Sequence, residues 1–150
     1  MLMDKRTEFC SATVIGGSTG RRLLGDVIDL ENQRDIGSTD NVWLVVQVAT
    51  TFTSGGAGTL QIELATDAAA AIAVDGSATE HITSATFALA ALTAGTTLVQ
   101  QLLPNEGDTP YERYLGIIGN VGSNAMTAGA INAFLTTQPP NHKAYPDGRR

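Results

Sequence analysis

The sequence predicts an all-β protein: a single antiparallel β-sandwich of jelly-roll type, with about eight strands and an N-terminal arm. Three observations point there. Strand-length apolar segments recur at short spacing, separated by turns rich in Gly, Thr and Ala. No long stretch carries the three-to-four-residue apolar spacing of an amphipathic helix. Ala, Thr and Gly together make up over a third of the 150 residues, and such small side chains suit close sheet-on-sheet packing. A chain of this length forms one domain and buries a core without disulfides or metal.

The elements follow in order. Residues 1–24 read as an arm, because they mix Asp4, Lys5, Arg6 and Glu8 with a Gly16-Gly17-Ser18-Thr19-Gly20 patch and the pair Arg21-Arg22. A short strand at Ala12–Ile15 fits within it. Gly25-Asp26 then introduces a strand at Val27–Leu30, and the polar run Glu31–Asn41 is a loop. Val42–Thr50 is the strongest strand, crowded with branched and aromatic residues. Leu44, Val46 and Val48 are expected in the core with Val42, whereas Trp43, Val45 and Gln47 face a partner or a second layer. In Thr59–Ala65, Leu60, Ile62 and Leu64 alternate with polar neighbours, giving one buried and one wet face. The Gly-rich Thr53–Gly58 connection makes these two strands read as a hairpin.

Asp67–Thr79 is a loop with at most a brief helix, since Asp67, Asp75 and Gly76 confine the alanine run. Glu80–Ala85, Phe87–Leu92 and Thr97–Leu103 are strands, the last ended by Pro104. Arg113–Val121 and Gly129–Thr137 read as a closing pair, with Leu115, Ile117 and Val121 on one face and Ile131, Ala133 and Leu135 on the other strand's matching face. The jelly roll places domain boundaries at 25 and 138, leaves 139–150 as a polar tail, and brings the last strand beside an early one, expected at Val27–Leu30.

Composition excludes several functions. The formal charge is -6 and the pI near 4.7, the reverse of a nucleic-acid-binding face. From Asp35 to Glu112 there is no Lys or Arg to meet a phosphate. Cys10 stands alone, so neither an internal disulfide nor a multi-cysteine zinc site is available. The N-terminus lacks the apolar stretch of a signal peptide, and no apolar segment reaches the ~20 residues of a membrane span. A soluble protein with no membrane partner is expected.

Candidate chemistry is sparse. Gly16–Arg21 lacks the Lys-Ser/Thr ending and the strand-loop-helix setting of a phosphate loop. Asp26, Asp29, Glu31 and Asp35 do not follow the spacing of a calcium loop. His81 and His142 are the only imidazoles, and no nucleophile elbow is present. Neither catalytic residues, nor a cofactor, nor a metal is expected. Trp43, Tyr111, Tyr114 and Tyr145 are the candidates for aromatic contacts, with Tyr111 and Tyr114 expected to be partly exposed beside Arg113.

The order of segments carries a resemblance. The chain reads GDVIDL, DIGSTDNVWLVVQVATTFTSGGAGTLQIEL, TDAAAAIAVDGSATEH, ALTAGTTLVQQLLP and PYERYLGIIGNVGSNAMTAGAINAFLTTQ. It resembles the jelly-roll capsid cement, or decoration, proteins of tailed bacteriophages, the family typified by the cement protein of a short-tailed Bordetella phage. The likeness spans about Gly25 to Tyr145 and is most specific in TFTSGGAGTLQ, ERYLG and TAGAINAFLT. It implies a virion protein made in the host cytoplasm. Such a protein sits on the outside of the head, bridges major capsid protein subunits and has no enzymatic activity. It also implies self-association, as dimers in the best-matching case, with trimers the alternative. A lectin-like carbohydrate-binding module is the alternative reading of a jelly roll.

Basic residues gather toward the two ends of the chain, so Arg21, Arg22 and the first 25 residues are expected to grip the capsid. Trp43, Tyr111, Arg113 and Tyr145 complete the candidate capsid or subunit contacts.

Overall fold

The structure, a computed structural model, describes residues 5–32, 36, 41–105 and 110–140. Among the described residues nine strands form two antiparallel sheets: β1 (Glu8–Val14), β2 (Gly20–Asp29), β3 (Trp43–Ser54), β4 (Thr59–Asp67), β5 (Thr79–Thr83), β6 (Phe87–Ala88), β7 (Thr97–Leu102), β8 (Tyr114–Gly122) and β9 (Met126–Thr136). The first sheet has the order β1-β9-β3-β7. The second has the order β2-β8-β4-β5, with β6 pairing β4 beyond β5. Each early strand therefore pairs with a late one, in nested fashion: β4 with β5, β3 with β7, β2 with β8, β1 with β9. This is one long antiparallel ribbon rolled into two layers, the jelly-roll wrapping.

The core lies between the inner faces. Leu44, Val46 and Val48 of β3 meet Leu60, Ile62 and Leu64 of β4, Leu115, Ile117 and Val121 of β8, and Ile131 and Ala133 of β9. Alternation put these side chains on one face of each strand, and all are buried as the sequence required. Leu135 and Val42 pack against the same core at its margin.

The structure corrects five expectations. Strands β3 and β4 are not a hairpin, and β8 and β9 are not a pair; each couple is split between the two sheets. Val27–Ile28-Asp29 belongs to β2 beside β8, whereas β9 lies between β1 and β3. Phe87–Leu92 forms only the two-residue β6 followed by a 3-10 turn at Leu89–Ala91. The N-terminal segment read as an arm supplies β1 to the first sheet and the first half of β2 to the second.

A bend within β2, where it passes close to β1, explains why that segment looked unlike strand. Gly25 has φ +63°, and a Cβ there would sit 2.0 Å from the Phe9 carbonyl oxygen. The register of β2 against β8 shifts just there, between Leu24 and Ile28. Only glycine allows this bend and this approach.

Residues 68–78 fold onto the outer face of the second sheet, with no helix. Ile72 and Ala78 join Ala65 and Ile118 in a small second cluster, flanked by Leu23 and Val27. Gly116 makes room, since a Cβ at that position would lie 2.6 Å from Ile72 Cδ1. Asp67 fixes the start of the segment by accepting the N–H groups of Ala69 and Ala73, at 3.1 and 3.0 Å.

Candidate functional site

Strands β2, β4 and β5 bring Arg21, Glu63 and Glu80 together on the outer face of the second sheet. Arg21 Nη2 donates to Glu63 Oε2 at 2.6 Å and to Glu80 Oε1 at 2.5 Å. Glu63 is only 4% exposed. Burial pushes its carboxyl up from the ordinary glutamate value, and the guanidinium beside it pulls the other way. Arg21 is held in its charged form above its usual value, chiefly by the hydrogen bond to Glu80. One cation thus serves two carboxylates, one of them inside the protein.

Arg22 is committed as well. Its guanidinium donates to the carbonyls of Gly16, at 2.5 Å, and Ser18, closing the turn that leads into β2. The two arginines expected to grip a capsid are thus both engaged within the fold. Arg21 ties β2 to β4 and β5, and Arg22 closes the turn ahead of β2.

At the other end of β2, Asp29 and Arg113 form a two-pronged pair. Arg113 Nε and Nη2 donate to the two carboxylate oxygens at 2.9 and 2.8 Å, and the guanidinium lies 4.9 Å from the centre of the Tyr114 ring. Asp29 also accepts the Glu31 N–H at 2.7 Å. The Arg113 hydrogen bond, helped by that N–H, pulls the Asp29 carboxyl down to about 2. Arg113 is exposed. Its planar, half-neutralised face is accessible at the surface.

Tyr111 is a correction. It is fully buried, its ring stacked on His81 with centroids 4.0 Å apart and planes 11° from parallel. Its hydroxyl donates to the Pro104 carbonyl at 2.7 Å. His81 Nε2 and Thr66 Oγ1 lie 2.8 Å apart, and burial lowers the imidazole pKa against the opposing pull of Glu112. The tyrosine pins a long loop to the core, a job its flanking polar residues concealed. Tyr145 lies outside the described residues.

Trp43 and Val45 stand on the outer face of the first sheet, opposite in direction to Leu44 and Val46. Phe134 of β9 is in register with Val45. Val45 and Phe134 are buried, Trp43 is half-buried, and Leu102, in register with Trp43 on β7, is 41% exposed. Trp43 and Tyr114 belong to different sheets and Tyr111 is internal, so the described aromatics build no shared stacking platform.

An apolar cleft of about 390 Å³ opens where the two sheets part, lined by Ile28, Leu30, Ile36, Val42 and Leu135. Sequence reading missed it, because its walls come from four separate segments that only the roll brings together. Among the described residues no His, Cys, Asp or Glu side chains cluster in a way that could hold a metal ion. Cys10 is buried, and burial raises its thiol to about 11, so it is an unreactive core group.

No curated protein matches the chain. The model of the Bbp16 family matches residues 17–135, from the turn bracketed by Arg22 through all but the end of β9. The match begins inside the segment that the sequence alone set apart as an arm, in keeping with the place of β2 in the second sheet. The chain belongs to the Bbp16 family, named after a Bordetella phage protein, a membership consistent with a structural protein of a phage particle.

Proposed function

We propose that the protein is a capsid cement: it binds the outer surface of a phage head, bridges neighbouring major capsid protein subunits and stabilises the shell by contact, without catalysis. The family match over residues 17–135 carries this reading. The physical character of the chain supports it. A two-layer sandwich with a continuous core presents a stiff surface, so little conformational entropy is lost on docking. Many modest contacts, repeated over a lattice, add through avidity. A protein that binds the assembled shell and not its dissociated subunits stabilises the shell by linkage.

The contact surfaces proposed are the outer face around Trp43 and the exposed Arg113–Asp29 edge, in place of the N-terminal basic pair. Self-association into a small symmetric oligomer is part of the proposal. The test uses phage heads stripped of this protein. Adding back the purified chain should restore occupancy and raise the temperature at which the heads release DNA. Heads that neither bind it nor gain thermal resistance would overturn the reading.

A further inference from the structure

Among the described residues five strands lie at sheet edges, β1, β2, β5, β6 and β7; β6 is only two residues long, and three of the others are defended against pairing with another chain. Strand β1 carries two register shifts and a positive φ at Ala12. Strand β2 carries Arg21, Arg22, Asp26 and Asp29 and bends at Gly25. Strand β5 has five residues and carries Glu80 and His81. Strand β7, Thr97-Leu98-Val99-Gln100-Gln101-Leu102, has no charge, no proline and no glycine. Its only register shift lies at its start, between the partners of Val99 and Thr97.

The pairing of β7 with β3 fixes which peptide groups point outward. Leu103 N–H donates to the Val42 carbonyl, and from there Leu44 faces Gln101 and Val45 faces Gln100 in unbroken register. Alternation of narrow and wide pairs then turns the N–H and C=O groups of Gln100 and Leu102 away from β3. Gln100, Gln101 and Leu102 are all exposed. A groove of about 360 Å³ beside this edge, between β7 and Ser84–Phe87, leaves it open to approach. From Ile82 to Asn105 the chain has no charged residue, although the whole carries -6.

We propose that β7 is the seam at which two copies of the chain join, antiparallel about a two-fold axis through Gln101, so that the first sheets fuse into one of eight strands. In that register Gln100 of each copy lies opposite Leu102 of the other, and the four outward peptide groups of each β7 are satisfied by its counterpart, in about four hydrogen bonds. Gln101 faces its own equivalent, amide to amide. The exposed Leu102 is covered beneath the Gln100 side-chain stem. An acidic protein brings two copies together with least repulsion where it is uncharged, and among the described edge strands longer than two residues β7 alone carries no charge. The inference deepens the self-association part of the proposed function and rests on it only there.

The test exploits the single buried cysteine. Gln101→Cys introduces one accessible thiol at a wide pair, where facing Cα atoms are about 4.5 Å apart and within disulfide reach. Mild oxidation should convert it to a covalent dimer, while Ala70→Cys, on the outer face of the other sheet, stays monomeric. Gln100→Pro removes an outward N–H that no strand of the same copy uses, and Gln100→Lys places a charge on the seam. Each should weaken dimerisation at least tenfold by sedimentation, with the monomer's circular dichroism retained. A wild-type chain that sediments as a monomer at all concentrations would overturn the seam. So would a dimer that survives both Gln100 substitutions, or that leaves Gln101→Cys uncrosslinked. Rebinding of the Gln100→Lys monomer to stripped heads, measured alongside, separates failure of the seam from failure of the capsid reading.

Discussion

Glu63 shows what a buried carboxylate costs when one cation is shared. Arg21→Ala would leave Glu63 without a counter-charge inside the second sheet, a change worth about 3 kcal/mol of stability at pH 7. Glu63→Gln should cost far less, because Arg21 keeps Glu80 and the neutral amide loses the desolvation penalty. Urea denaturation of the two variants checks the asymmetry. The loss in Arg21→Ala should shrink toward pH 5, as the raised carboxyl takes up its proton. His81 works in the opposite sense. Its imidazole is held neutral below the usual value of 6.5, so the unfolded chain binds the proton more readily. Stability from this group is complete above about pH 6.5 and is lost as pH falls below that toward the lowered pKa. The melting temperature should therefore decline between pH 7 and 5, and His81→Phe, which keeps the stack on Tyr111, should flatten that decline.

At the scale of elements, the bend of β2 against β1 is the most exacting. Gly25→Ala combines a positive φ with a clash against the Phe9 backbone and should destabilise by roughly 2–4 kcal/mol. Deleting residues 1–24 removes an edge strand of the first sheet and half of one in the second. That truncation should lose cooperative thermal unfolding altogether, an outcome differential scanning calorimetry reads directly. Strand positions were legible in the sequence because alternation is local: Leu44, Val46 and Val48 of β3 and the inward residues of β4 and β8 were placed correctly, whereas Val42 is only half-buried and the wet face expected of β4 is covered at Glu63. Strand partners were not legible, because in a nested roll most neighbours in sequence, such as β3 and β4 or β8 and β9, lie in opposite layers, and no local pattern encodes that. The engagement of Arg21 and Arg22 within the fold was hidden for the same reason. Their acceptors lie on β4, β5 and a turn, and an arginine pair without its partners reads as free positive charge. Tyr111 sat in a polar run that gave no sign of the ring stack beneath it.

At the scale of the whole molecule, the single cysteine leaves no internal disulfide, no cluster among the described residues could hold a metal ion, and packing with a few ion pairs is expected to carry the stability. Reductant and a strong chelator should each leave the melting curve unchanged, and a shift of several degrees with either would reveal a stabilising link of another kind. The nested wrapping also reaches into how the protein is made. Strand β9 is inserted between β1 and β3, and the Ala12 N–H is bonded to an Asn132 side chain 120 positions further on. A chain emerging from the ribosome must hold its first strand unpartnered until almost the whole sequence is out, so the first sheet closes only after synthesis of its C-terminal strand. A product of early termination is then a sheet with its middle missing, and only full-length copies become competent to assemble.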